Sequence, residues 1–189
     1  MKKTILILIM SLLGFSGISQ AQKYLTKTGH IRFYSEAPME NIEAHNKQVN
    51  CAYNAATGDL VFKVLMKSFE FEQALMEEHF NENYIYSDQY PNATFKGKVT
   101  DTKALDLSKP GTYDVDVQGD LTIKGITKTV NTRGSFTVER DKLTGKSVFN
   151  VNLADYEIKI PSAVMQNISE SIEITVDVDM EKFESMAKN

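Results

Sequence analysis

Apolar and polar residues alternate one for one along much of the chain. The clearest run is Gly111 to Val130, in which Tyr113, Val115, Val117, Leu121 and Ile123 alternate with Asp114, Asp116, Gln118, Asp120, Thr122 and Lys124. Successive side chains of a β-strand point to opposite faces of its sheet, so this period of two predicts antiparallel strands with one dry and one wet face. The same alternation predicts strands over Thr26 to Ser35, Ile42 to Tyr53, Leu60 to Met66, Ala93 to Val99, Val130 to Val138, Phe149 to Leu153 and Ile172 to Met180. Ala56-Thr57-Gly58-Asp59 joins two of them as a hairpin, Gly125 bends the chain, Asp101 to Pro110 reads as a loop and Asp141 to Gly145 as a turn.

One stretch breaks the pattern. In FEFEQALMEEHFNENY the apolar residues Phe71, Leu75, Met76 and Phe80 fall at helical spacings, and Glu70 and Glu72 stand where a helix dipole favours acid. This predicts one short helix of two to three turns. About eight strands without βαβ alternation predict an all-β fold with minor helix: an eight-stranded antiparallel β-barrel, since closure removes the sheet's sticky edges. Alternation alone does not show closure, so a sandwich stays open at this point. A barrel of this size either packs its lumen with its own side chains or holds one small ligand.

Composition narrows the setting. Lys2 and Lys3, the apolar run Ile5 to Leu13, and Ser19 and Ala21 have the form of a secretory signal peptide cut after Ala21. The run is shorter than the roughly 20 residues of a membrane-spanning helix. Residues 1–21 are thus expected to be a leader and 22–189 a single periplasmic or secreted domain, with no transmembrane segment. The whole chain carries a net charge of −4. The leader holds two basic and no acidic residues, which leaves the remainder at about −6 and disfavours nucleic acid and anionic membranes as partners. Cys51 is the only cysteine, so no intrachain disulfide forms; between Val49 and Tyr53 it reads as a small buried hydrophobe.

Few residues suggest chemistry. His30, His45 and His79 fall at no metal-ligand spacing, and Glu77-Glu78-His79 reads as a solvated helix face. The alternating Asp114, Asp116, Asp120, Asp177 and Asp179 lack the compact loop spacing of a calcium site and read as a wet barrel exterior. No nucleophile elbow, phosphate loop or paired-Cys motif occurs. The expectation is a non-enzymatic protein with no metal and no cofactor.

Several motifs in order carry a resemblance: Gly29-His30-Ile31-Arg32-Phe33, Thr57-Gly58-x-Leu60, Phe80-Asn81, Tyr90-Pro91-x-Ala93-x-Phe95-x-Gly97, Gly119-x-Leu121-Thr122-Ile123-x-Gly125-Ile126-Thr127-Lys128, and Asp155-Tyr156-x-Ile158 before a long last strand. Over nearly all of the chain beyond the leader this resembles the YceI-like family of secreted bacterial proteins, also called polyisoprenoid-binding or lipid-binding YceI-like domains. The resemblance implies a lipocalin-like eight-stranded antiparallel barrel with one short helical insertion, and a periplasmic carrier or scavenger of isoprenoids or similar amphiphiles. The likeness to lipocalins is one of shape, because a chain without Trp lacks their Gly-x-Trp signature. The resemblance leaves room for a homodimer of two barrels, although no outward apolar stripe demands one.

The candidate ligand site is the apolar lumen. Phe33, Phe62, Val64, Phe95, Val117, Leu121, Phe136, Phe149, Val151 and Leu153 share the dry parity of their strands, while Phe69, Phe71, Phe80 and Tyr84 lie on or beside the helix that would cap one end. Three functions follow. The first is a lipid-like ligand held in the lumen. The second is a structural or stress-response module with a packed core that works through its surface on a protein partner. The third is an enzyme acting on a bound lipid through Glu78 or His79 at the barrel mouth.

Overall fold

A computed structural model describes residues 22–102 and 105–183; the expected leader, and Lys103 and Ala104 of the predicted loop, lie outside the described residues. The strands are β1 (Lys23–Glu36), β2 (Asn41–Asn54), β3 (Asp59–Leu65), β4 (Phe69–Phe71), β5 (Asn92–Val99), β6 (Gly111–Ile123), β7 (Ile126–Glu139), β8 (Lys142–Asn152) and β9 (Ser171–Phe183). They lie in the order β1-β9-β8-β7-β6-β5-β3-β2, all antiparallel, and β1 also pairs with β2, which closes the sheet. β4 adds no wall of its own. After a 3-10 turn at Met66–Ser68 it pairs with Ala44–Asn46 of β2, in line with β3, which pairs with Asn50–Tyr53. The result is the closed eight-stranded barrel that the alternation predicts, and the sandwich is set aside.

Local expectations need three corrections. The predicted helix begins later: Phe69–Phe71 is extended, and α1 (Ala74–His79) runs on into a wider helical turn, Phe80–Ile85. Phe71 and Leu75 sit at helical spacing, but pairing with β2 wins over that local pattern. The turn expected over Asp141 to Gly145 is only Arg140-Asp141, with Arg140 at φ 52°, and Lys142 already opens β8. Leu153, expected to end a strand, lies instead in a 3-10 turn, Leu153–Tyr156. At the β6–β7 hairpin, by contrast, Lys124 (φ 51°) and Gly125 (φ 76°) make the tight two-residue turn with two left-handed residues that suits strand twist.

The interior is filled unevenly. At the end holding the β2–β3 and β7–β8 turns, Tyr24 faces Tyr53 across β1 and β2, the Tyr53 ring lies 5.0 Å from that of Phe136, and Leu143 and Met180 are fully buried. Cys51 packs there, its Sγ 3.5 Å from Met180 Sδ, and Leu105 tucks in from the β5–β6 loop. This end is a solid floor. The outer wall is wet, with exposed ion pairs between Asp116 and Arg133 (3.2 Å), Asp177 and Lys146 (2.9 Å) and Asp179 and Lys142 (2.8 Å). Each contributes about 0–1 kcal/mol, so they keep the wall soluble and leave stability to burial.

At the opposite end β7 and β8 part company. Their pairing runs only from Glu139↔Lys142 to Gly134↔Ser147, although both strands continue. Ser147 Oγ donates to the Arg133 carbonyl at 2.7 Å and pins the fork. The 3-10 turn after β8 packs against β7, Lys124 Nζ donates to the Glu157 carbonyl at 3.1 Å, and Tyr156 and Ile158 are buried.

Candidate functional site

Above the floor the inward side chains no longer meet. Phe62, Phe95, Leu121, Phe149, Ile174 and Val176 face the lumen yet remain half-buried, which an interior packed to ordinary density does not allow. They enclose a cavity of about 500 Å³, inside the roughly 300–1,000 Å³ range of small-molecule sites.

Glycine and aromatic residues together keep the lumen wide. A Cβ on Gly97 or on Gly119, neighbours across β5 and β6, would run into the Phe95 ring, and one on Gly145 would stand 2.9 Å from Phe136 Cε1. Both rings therefore lie back along the wall, in space that side chains at those positions would take. Phe62 meets Phe95 edge-on at 6.2 Å between ring centres.

The helical insertion forms one side of the mouth. Phe80 packs among Phe33, Phe69 and Phe71 with ring centres 5.6, 5.6 and 5.1 Å away, and this four-ring cluster fastens α1 to the barrel end. The β1–β2 hairpin and the loop between β8 and β9 form the other side. Met39 N–H donates to the Gln166 carbonyl (3.0 Å), Ser169 N–H to Ser35 Oγ (2.9 Å) and Asn167 Nδ2 to Glu40 Oε2 (3.2 Å). Glu40, Gln73, His79 and Asn167 give the rim its polar groups.

Each lumen residue expected from the sequence reaches this one cavity: Phe33 of β1, Phe62 and Val64 of β3, Phe69 and Phe71 of β4, Phe80 and Tyr84 of the helical insertion, Phe95 of β5, Val117 and Leu121 of β6, Phe136 of β7, Phe149 and Val151 of β8, and Leu153 just after it. Burial raises the Tyr84 phenol above its ordinary pKa. Sequence reasoning left out Ile174 and Val176, although the alternation of β9 carries their signal. It also left out Val164, Asn167 and Ile168, which lie in a loop with no periodicity to read. His79 lies at the rim, whereas Glu78 is exposed on the helix and does not line the cavity.

One juxtaposition lies outside the lumen. The β1–β2 register brings the histidines that look scattered in the sequence together: His30 Nε2 is 3.0 Å from His45 Nδ1, and His45 Nε2 is 2.7 Å from Glu43 Oε1. The ring centres are 5.2 Å apart with planes 19° from parallel, so the rings meet nitrogen to nitrogen. Arg32 continues the chain, donating to Glu43 (3.0 Å) and to Glu173 of β9 (3.3 Å). Among the described residues no group of three or more His, Cys, Asp or Glu is placed to hold a metal ion.

Known structures share this architecture. A polyisoprenoid binding domain from Saccharophagus degradans implicated in plant cell wall breakdown superposes with a TM-score of 0.75 at 13% identity, over 86% of this chain and 99% of that one. BcnA from Burkholderia cenocepacia gives a TM-score of 0.66 at 16% identity, over 80% and 95%. The YCEI protein of Campylobacter jejuni gives 0.55 at 15%, over 98% and 100%. No curated protein sequence matches the chain. At these identities the neighbours speak for the fold. The sequence itself matches the YceI-like domain over residues 18–180, and on that match the chain belongs to the YceI-like domain family.

Proposed function

We propose that the protein is a non-enzymatic carrier that holds an isoprenoid or similar lipid-like chain in its barrel and acts in the periplasm or outside the cell. The observation that carries this reading is the lumen, an apolar cavity of about 500 Å³ above a solid floor. Burying a chain there releases about 0.8 kcal/mol per CH₂, so affinity needs few polar contacts. Membership of the YceI-like family supports the reading, as does a structural neighbour that is itself a polyisoprenoid binding domain. The leader pattern of Lys2, Lys3, Ile5 to Leu13, Ser19 and Ala21 supports the location.

The alternative, a module with a packed core that works through its surface on a protein partner, does not account for the open lumen. Of the two residues that an enzyme would use, Glu78 stands away from the cavity and His79 reaches only its rim. The carrier reading is tested by two substitutions, Phe95→Asp, which puts a charge into the lumen, and Ile174→Trp, which narrows it without a charge. Phe95→Asp should abolish, and Ile174→Trp should weaken, retention of a fluorescent isoprenoid by protein whose far-UV circular dichroism is unchanged. Undiminished retention by both folded proteins would exclude the lumen as the site.

A further inference from the structure

The electrostatics of the mouth bear on which amphiphile enters it, an inference that rests on the carrier reading above. Besides His79, two residues that line the cavity have charged side chains, Glu40 and Lys146. Lys146 turns its ammonium to the outer wall, where Asp177 holds it at 2.9 Å. Glu40 is at the rim, its Oε2 accepting from Asn167 Nδ2 at 3.2 Å, and both residues line the opening. Of the cations toward this end of the barrel, Arg32 is held on the outer wall by Glu43 and Glu173, and Lys63 and Lys128 are exposed and do not line the cavity. Lys67 pairs with Asp88 at 2.6 Å, Lys124 donates to the Glu157 carbonyl and lies over the Tyr86 ring, and Lys159 is exposed on the loop and does not line the cavity. Glu36, Glu72, Glu77 and Glu78 add negative charge from the β1–β2 hairpin and the helix segment.

A chain drawn into the lumen leaves its head at this rim. A phosphorylated head, which carries roughly −1.5 to −2 charges at neutral pH, would lie beside the Glu40 carboxylate, and no described lysine or arginine that lines the cavity turns its charge inward to bind it. A hydroxyl head instead finds an acceptor in Glu40. We infer that the mouth selects uncharged, hydrogen-bond-donating heads: the ligand class is a long-chain isoprenoid alcohol, and its phosphate esters are rejected at Glu40.

The test compares a C20 isoprenoid alcohol with its monophosphate by titration against the detergent-free protein at pH 8, above the range in which imidazoles ordinarily carry charge. The alcohol should bind at least about tenfold more tightly than the monophosphate, the scale of one like-charge contact at a partly solvated site. Glu40→Gln should narrow that gap and Glu40→Lys should close or reverse it, chiefly by tightening monophosphate binding. Monophosphate binding as tight as or tighter than alcohol binding by the unaltered protein would overturn the head-group inference and leave the lumen standing. So would a gap that both Glu40 variants keep. If neither compound bound, the carrier reading itself would fall and this inference with it.

Discussion

Burial sets the character of individual groups in the floor. Lack of hydration raises the Cys51 thiol to about 12, with Met180 Sδ as its near neighbour. A thiolate, not a thiol, attacks alkylating reagents, so folded protein at pH 8 should stay unmodified by iodoacetamide for hours and take up one equivalent in denaturant. Fast labelling of folded protein would show that the floor opens. In the wall, the glycines under Phe95 should be intolerant of a side chain. At Gly119 a Cβ would also stand 2.7 Å from the Lys96 carbonyl, so Gly119→Ala should cost about 1–3 kcal/mol in urea unfolding and press the ring into the lumen. A stability unchanged by that substitution would mean that ring and wall are not so tightly fitted. The inward direction of Phe62, Phe95 and Leu121 was legible from parity alone. That Phe95 lies back over glycines was not, because it depends on two strands meeting in one register.

The consequences of register show in two places, the outer wall of β2, β1 and β9 and the helical insertion. Across β2, β1 and β9, His45, His30, Glu43, Arg32 and Glu173 form one polar chain on the outer wall, with Lys47, Glu70 and Asp177 nearby. Burial first, then the neighbouring His45, holds His30 below its ordinary value near 6.5. The unfolded chain then binds a proton that the folded chain refuses, so stability conferred by neutral His30 is present above 6.5 and is lost as pH falls from there through the lowered value. Glu43 is lowered from 4.5 chiefly by the hydrogen bond from Arg32, and its contribution is lost further down, as pH falls below that value. Denaturation midpoints should fall in two steps, and His30→Gln should remove the upper one alone; an unaltered upper step would assign it to another group. The helical insertion should open independently of the barrel. Phe80→Ala removes the ring that the helical insertion packs against β1 and β4, so amide exchange should accelerate over residues 74–85 while the strands keep their protection. Acceleration spread evenly over the barrel would contradict that independence. The helix was legible in part, because Phe71 serves the helical spacing and the strand alternation at once and only pairing with β2 decides between them. The histidine contact was invisible as spacing, since residues 15 apart meet only when the hairpin register is known.

For the whole molecule, the closed barrel follows from what the alternation demands: every strand needs two partners and one dry side. Strand number and inward faces were therefore legible in the chain. Whether the lumen was open or packed was not, because both barrels require the same apolar parity. The difference lies in volume, in glycines opposite rings on β5 to β8, and in strands β7 and β8 that separate above Ser147. The carrier account depends on that open lumen. Its most direct test is native mass spectrometry of protein purified without detergent from a bacterial periplasm, followed by organic extraction. The account predicts a stoichiometric isoprenoid or lipid-like mass that leaves with the solvent chemically unchanged. Protein that arrives without such a mass, and that also takes up no added isoprenoid, would contradict it.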